Sequence, residues 1–371
     1  MKVTFPHLGN AYIPLQSLLT DLHFHVIPPP PCSRRTLEIG MAHAPETACL
    51  PLKINLGNFV EALERGADTI IMGGGWGPCR FGYYAKAEEE ILRSLGFSFD
   101  MLVLEAPDGG RLNIMGFLKR LQNGNSLRTF ARAVRLAWHK LNVVDRLEQR
   151  QLYYLPRSID AAACQSIYRK ALKAVDAAQN KNEAEAAEQE AQDGWQQLLN
   201  PEPALIPRIG LVGEIYTLLE PAANGEIMTH LGRMGVEVVR PVTLSQWMND
   251  HIFGGLFRSM SFRDVMPLAR PYLNYFVGGH GCETVACAAL LAREQVDGVI
   301  QIGPLTCMPE IVAQAILPRV QEETGVPIMT VYFDEHAGEA GLVTRLEAFT
   351  DMVRWRDQGG VSHDSTCLSW H

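Results

Sequence analysis

The stretch that decides the fold is Ile70-Ile71-Met72-Gly73-Gly74-Gly75-Trp76-Gly77-Pro78-Cys79-Arg80-Phe81-Gly82-Tyr83-Tyr84. An apolar run ends in three glycines, a Gly-Pro pair follows, and a thiol stands where a helical pattern begins. Gly73 to Pro78 suits neither regular strand nor regular helix. The glycines let the backbone pass close to a bulky neighbour and leave Cys79 at a helix N-terminus. That position is expected to lower the thiol pKa and favour the thiolate, the form that binds metal. A strand, a glycine loop and a helix in this order form the repeating unit of a parallel α/β sheet.

Working outward, residues 1–106 alternate strand and helix. Short strands are expected at Val3–Phe5, His23–Ile27, Asp68–Met72 and Asp100–Leu104. Helices are expected from Asn10, as cap, to Asp21, over Ile54–Arg65 with its apolar residues on one side, and over Arg80–Leu95. Residues 107–206 read as helical, over Leu112–Gln122, Ser126–Leu152 and Ser158–Leu199, with a solvated or partly disordered stretch at Ala177–Gln192. Pro201, Pro203 and Pro207 close this region. Residues 207–356 return to alternation, with strands at Arg208–Val212, Val236–Arg240, Gly298–Ile302 and Pro327–Phe333. Helices there are expected over Glu226–Met234, Ser259–Tyr275, Glu283–Glu294, Pro309–Thr324 and Ala340–Arg354. Residues 357–371 read as a loose tail. The expected architecture is two doubly wound parallel-sheet, Rossmann- or flavodoxin-like domains joined by a helical insert.

The totals fit this reading. A chain of 371 residues exceeds one ordinary core. The 47% apolar and 20% charged composition is that of a globular protein. A net charge of −8 without a basic block beyond Arg34-Arg35 argues against nucleic acid and anionic membranes. There is no span-length apolar run and no signal-peptide pattern, so a cytoplasmic location is expected. Reduced thiols are then expected of the 8 cysteines. No pair has C-x-x-C spacing.

Three of those cysteines share a setting. Cys79 and Cys307, the latter in Gly303-Pro304-Leu305-Thr306-Cys307-Met308-Pro309-Glu310, each follow the carboxyl end of a strand and precede a helix. Open α/β sheets bind ligands there. Cys49 lies in the proline-bounded loop Pro45-Glu46-Thr47-Ala48-Cys49-Leu50-Pro51. The expectation is that these three thiols converge, in a cleft between facing halves, on one iron–sulfur cluster. Cys164 and Cys287 lie within helical patterns and are expected to pack. Cys32 and Cys282 lie in loops and have two readings, as neighbours of the site or as spares; Cys367 lies in the tail.

The chain resembles the 2-hydroxyacyl-CoA dehydratase subunit family, typified by the D component of 2-hydroxyglutaryl-CoA dehydratase. More closely, it resembles the branch of CoA protein activase or acyl-CoA dehydratase activase-related proteins. The resemblance rests on Thr4-Phe5-Pro6-His7-Leu8-Gly9-Asn10, the segment from Cys49 to Asn58, Gly77 to Tyr84, Pro304 to Glu310, and Phe333 to Phe349. It implies a [4Fe–4S] cluster held by Cys49, Cys79 and Cys307, with one iron lacking a cysteine ligand. It implies further a separate ATP-hydrolysing, actin-like activator, a homologous partner subunit, and one-electron reduction or radical dehydration of a CoA thioester. Cluster potential depends on burial, charge and hydrogen bonds to sulfur, and the amides around Gly75 and Gly77 are candidates for such bonds. The alternatives are an electron-relay or accessory subunit, a double-cubane-type reductase of small molecules drawing on Cys32, Cys282 and Cys287, and a binding protein with incidental thiols. ATP is assigned to a partner, because no G-x-x-x-x-G-K-[ST] loop is present.

Other candidates divide between function and structure. His280, in a glycine loop, is a candidate proton donor or a core residue; His7 is read the same way. Arg80 is a candidate partner for sulfide or CoA phosphate, or a solvated helix residue, and Lys53 is its weaker counterpart. Glu310 is expected to serve the helix dipole. Asp334 and Glu335 are expected to brace the second half through Arg345.

Overall fold

A computed structural model describes residues 1–75, 78–104, 114–201, 205–251 and 261–357. Its frame is two separate four-stranded sheets, both wholly parallel. The first contains β1 (Lys2–Thr4), β2 (His25–Val26), β3 (Thr69–Gly73) and β4 (Asp100–Leu104), in the order β2-β1-β3-β4. The second contains β5 (Arg208–Gly213), β6 (Glu237–Val239), β7 (Gly298–Pro304) and β8 (Ile328–Phe333), in the order β6-β5-β7-β8. The two orders are the same, and each reverses direction beside its first strand, which is where such sheets leave a crevice.

In the first half, α1 (Tyr12–Asp21), α2 (Arg34–His43), α3 (Leu50–Glu64) and α4 (Tyr84–Ser94) connect the strands. Sequence periodicity begins α3 at Ile54 with one apolar side. Instead it starts at Leu50, with Cys49 as N-cap and Pro51 in its first turn, and every residue from Leu50 to Leu63 is buried. The reason is that α3 lies between the halves: Leu56, Phe59 and Leu63 pack in the first core, whereas Leu50 and Ile54 join the core of the second. Its polar residues are accordingly matched. Glu61 accepts from the Thr36 hydroxyl at 2.6 Å, and Asn58 donates to the Pro30 carbonyl at 3.2 Å. Helix α2, which periodicity does not reveal, is fixed by a capping box between Ser33 and Thr36. It crosses α3 at two glycines: a Cβ on Gly40 would stand 1.9 Å from the Lys53 carbonyl oxygen, and one on Gly57 would stand 1.9 Å from that of Thr36.

Helices α5 (Ile114–Leu121), α6 (Leu127–Tyr154), α7 (Ala161–Ala177) and α8 (Lys181–Gln197) follow. The expected single helix over Ser158–Leu199 is two, capped by Asp160 and Asn180. The Ala/Glu/Gln stretch is also not merely solvated. Ala184, Ala187, Ala191 and Trp195 of α8 are buried against Cys164 and Val175. Alanines three and four apart form a packing stripe whose low hydrophobicity conceals it in the sequence. Helix α6 packs on α1 and on α12 (Leu244–His251), so it touches both halves.

The second half contains α9 (Ile215–Leu219), α10 (Pro221–Asn224), α11 (Ile227–Arg233), α12, α13 (Phe262–Val265), α14 (Gly281–Arg293), α15 (Met308–Thr324) and α16 (Glu339–Asp357). The helix expected over Ser259–Tyr275 is the short α13 with a 3₁₀ turn; its first residues fall outside the described ones, as do Trp76, Gly77, Cys367 and nearly all of the tail. The expected cap Asn10 does not cap α1. Its amide reaches Glu148 and Tyr168, each at 2.8 Å, pinning the turn after β1 to α6 and α7. Among the described residues, no helix is long and apolar enough to cross a membrane.

Candidate functional site: three cysteines at helix starts

Each expected thiol is the N-cap of the element that follows it. Cys49 caps α3, Cys79 caps the 3₁₀ turn Arg80–Tyr83 that leads into α4, and Cys307 caps α15. All three residues are in extended conformation, so their helices begin abruptly, and Pro51 and Pro309 fix two of those starts. Cys49 and Cys307 are buried and Cys79 is half-buried; all three are free thiols.

The loops that carry them meet across the two halves. Cys49 stands near enough to Cys79 and to Cys307 for their charges to interact, and the Glu214 carboxylate at the end of β5 acts on all three. The connection is made by Arg80. Its guanidinium donates to the Thr47 carbonyl at 2.6 Å and to the Thr306 carbonyl at 2.6 Å, with the Thr306 hydroxyl at 3.0 Å. One side chain, next to Cys79, thus fastens the loop before Cys49 to the loop before Cys307. Thr306 itself has φ of +65°, a left-handed conformation unfavourable for a β-branched residue, and Arg80 holds its carbonyl there. Arg80 is exposed, and these contacts to two loop carbonyls are ones that its expected roles did not include.

The Gly278-Gly279-His280 loop closes over Cys79. A Cβ on Gly278, at φ +84°, would lie 2.8 Å from the Cys79 amide nitrogen, and one on Gly279 would lie 3.5 Å from the Cys79 sulfur. His280, the N-cap of α14, accepts a hydrogen bond at Nε2 from the Trp247 indole at 2.8 Å. An indole nitrogen only donates, so the proton of neutral His280 sits at Nδ1. Burial holds its pKa below the ordinary histidine value, against the opposing pull of Glu283 and Glu214. Gly75 is accounted for within its own loop: a Cβ there would stand 2.9 Å from the Phe81 ring. Gly77 lies outside the described residues.

The expectation of lowered thiol pKa values is not met. Burial raises Cys49, Cys79 and Cys307, and Glu214 adds to the rise. The helix starts offset this only in part, through the Phe81 amide at Cys79 and the Glu310 amide at Cys307. For Cys49 the opposing contributions are the Tyr84 hydroxyl, in direct contact with its sulfur, and the Arg80 charge. Desolvation exceeds the field of a helix end at these depths.

The expected charged partners also change roles. Lys53 is buried and bonded to Glu335 at 2.6 Å, so Glu335 ties the second half to α3 rather than to Arg345. Arg345 donates instead to the Thr330 carbonyl. Glu310 turns inward from the first turn of α15. It accepts from Gln301 at 2.9 Å and from Thr284 at 3.0 Å, and burial pushes its pKa up to about 8.

Donors of one ion crowd together; among the described residues, three such atoms within 4.8 Å of one another occur at His7, Cys32 and Glu220, and not at the three thiols. Of the spare cysteines, Cys287 and Cys164 are packed in cores, and Cys282 donates to the Tyr275 carbonyl at 3.3 Å. Glu214 and the Arg80 fastening were not legible in the sequence, because neither has a motif; both are defined only by what the fold places opposite them. In comparisons with known proteins, no family model matches the chain, and no curated protein matches it.

Proposed function

We propose that this chain is an iron–sulfur subunit in which Cys49, Cys79 and Cys307 hold a [4Fe–4S] cluster between two Rossmann-like units, with the helices of residues 107–206 as an insert. The observation that carries the reading is the Arg80 guanidinium, which fastens the Cys49 and Cys307 loops to each other from a position adjacent to Cys79. A bound cluster would supply one-electron chemistry at low potential, with one iron free of cysteine.

The chain's own residues define the surroundings. Tyr84 presents a hydroxyl to the Cys49 sulfur, and hydrogen bonds to sulfur adjust cluster potential. Glu214, whose carboxylate caps α9, acts electrostatically on all three sulfurs, and its negative charge disfavours an added electron, which lowers the potential. His280 holds a proton at Nδ1 beside the Cys79 loop. The substrate class that goes with this reading is a 2-hydroxyacyl-CoA thioester, and the system is a dehydratase or related reductase of the cytoplasm. Its partners are a homologous subunit and an ATP-dependent, actin-like-fold activator.

Anaerobic iron and sulfide analysis tests the proposal. Wild type is expected to contain about four of each per chain, and Cys79→Ser far less. Wild-type protein that stays colourless and iron-free after anaerobic reconstitution would overturn it. Titration with 2-hydroxyacyl-CoA should perturb the cluster's spectrum; an unchanged spectrum would point to electron relay instead.

A further inference from the structure

A second donor cluster lies away from the three thiols, in turns whose chemistry the reading above does not use. His7 stands in the turn after β1, Cys32 in the proline-bounded turn after β2, and Glu220 between α9 and α10 of the other half. One donor atom from each lies within 4.8 Å of the other two. The His7 and Glu220 side chains are 12% and 3% exposed, with His7 Nδ1 2.7 Å from Glu220 Oε2. The surrounding protein orients each donor. The Gly9 amide donates to Glu220 Oε2 at 2.7 Å and the Ala222 amide to Oε1 at 3.1 Å. Cys32 lies 3.5 Å from the side-chain oxygen of Asn58, a fully buried residue that also grips the Pro30 carbonyl. The His7 ring is stacked along Tyr12.

One more polar group stands beside these donors. The Tyr216 hydroxyl is buried beside Cys32 and Glu220 and interacts with both.

We propose that His7, Cys32 and Glu220 form a binding site for a divalent transition-metal ion of the zinc class, joining the two halves, with the Tyr216 hydroxyl beside Cys32. One nitrogen, one sulfur and one carboxylate oxygen suit zinc-type ions and exclude magnesium or calcium, which take oxygen donors. Three protein ligands leave a tetrahedral ion one position for water or a ligand, as in catalytic rather than structural sites. Binding releases the Cys32 thiol proton to solvent, and no redox change is involved. Because Glu220 comes from the second half and the other two donors from the first, the ion acts as a cross-link between them.

The test is zinc-edge X-ray absorption on the full-length, wild-type apo-protein loaded anaerobically with one equivalent of Zn²⁺. The expected first shell has one sulfur at about 2.3 Å and nitrogen or oxygen donors at about 2.0–2.1 Å. A shell with three sulfurs would place the ion at Cys49, Cys79 and Cys307, a shell without sulfur would place it on the surface, and either result, or failure to bind, overturns the proposal. Equilibrium dialysis of His7→Ala and Glu220→Gln should show at least about tenfold weaker zinc binding, and an unchanged affinity in both also overturns it. The wild-type spectrum decides even where a variant does not fold. Iron analysis of the three-cysteine site is a separate measurement, so either proposal can fail without the other.

Discussion

The two halves share a strand order, yet corresponding positions carry different groups. The third strand of each sheet ends in a loop with a cysteine N-cap, Cys79 after β3 and Cys307 after β7. The helix before that strand differs: α3 starts at Cys49, whereas α14 starts at His280. The turn after the first strand carries His7 in one half and Glu214 in the other. A symmetric frame thus surrounds an asymmetric site, with three sulfurs and one imidazole at four corresponding helix starts. The lesson is that topology brings helix N-termini together, and side-chain identity then decides which of them can hold metal.

The largest expected effect tests this difference directly. Cys49→Ser, Cys79→Ser and Cys307→Ser should each remove most of the iron found in anaerobic wild type, whereas His280→Ala should keep it. Iron lost from His280→Ala to the same extent would make the imidazole a fourth ligand and erase the distinction drawn between the corresponding caps.

Arg80→Ala should act next. It removes two charge-assisted bonds that join the halves and frees Thr306 from its left-handed backbone. A loss of about 1–3 kcal/mol in denaturant unfolding is expected, with faster iron release on exposure to a chelator. Unchanged stability and iron retention would mean that the loops hold themselves.

Glu88→Leu should stabilise the protein. Glu88 of α4 is wholly buried, neither carboxylate oxygen has a hydrogen-bond partner among the described residues, and burial drives its pKa well above the ordinary range. An apolar residue of similar size removes an unsatisfied group, and a gain of about 1–2 kcal/mol is expected, visible as a higher midpoint at unchanged slope. A lower midpoint would show that the carboxyl serves the neighbouring Tyr84 and Tyr216.

The smallest effect concerns the helical layer that touches both halves. Asp145 of α6 accepts from the Ser245 amide at 2.8 Å, and burial, helped by Glu148, pushes its pKa from 3.8 up to about 6. The native state therefore holds this proton where the unfolded chain has lost it. Its contribution is intact below pH 3.8 and falls as pH rises through 6, by at most about 1.4 kcal/mol per unit. Asp145→Asn should flatten that decline; an identical pH profile would exclude Asp145 as its source.

Much of the frame was legible before the structure. β4 matches its expected span, and the strands around Ile70 and Ile300 were marked by apolar β-branched runs that stop at glycine or proline. The three cysteine caps were legible because proline and glycine isolate each thiol from any helical stripe. What was hidden has physical causes. α2 contains Gly40 and little apolar surface, since it serves as a close neighbour of α3, and its Ser33–Thr36 cap was the only local sign. α3 read as amphipathic because Lys53, Asn58 and Glu61 look like a solvated face, whereas each is matched by a partner from another element. The thiol pKa expectation considered the helix end and not the depth of burial. The His7–Cys32–Glu220 cluster joins residues 213 positions apart, a distance that local pattern reading does not bridge.

The position of α3 has a mechanical consequence. Leu50 and Ile54 sit in one core, Leu56 and Phe59 in the other, and Lys53 is neutralised by Glu335 from across the divide. Swinging the halves apart like a clamshell would strip apolar side chains into water and strand a buried ammonium, each at several kcal/mol. The molecule is therefore keyed rather than hinged: traffic to the thiols must pass by rearranging the short loops at the rim, and denaturation should melt both halves in a single step.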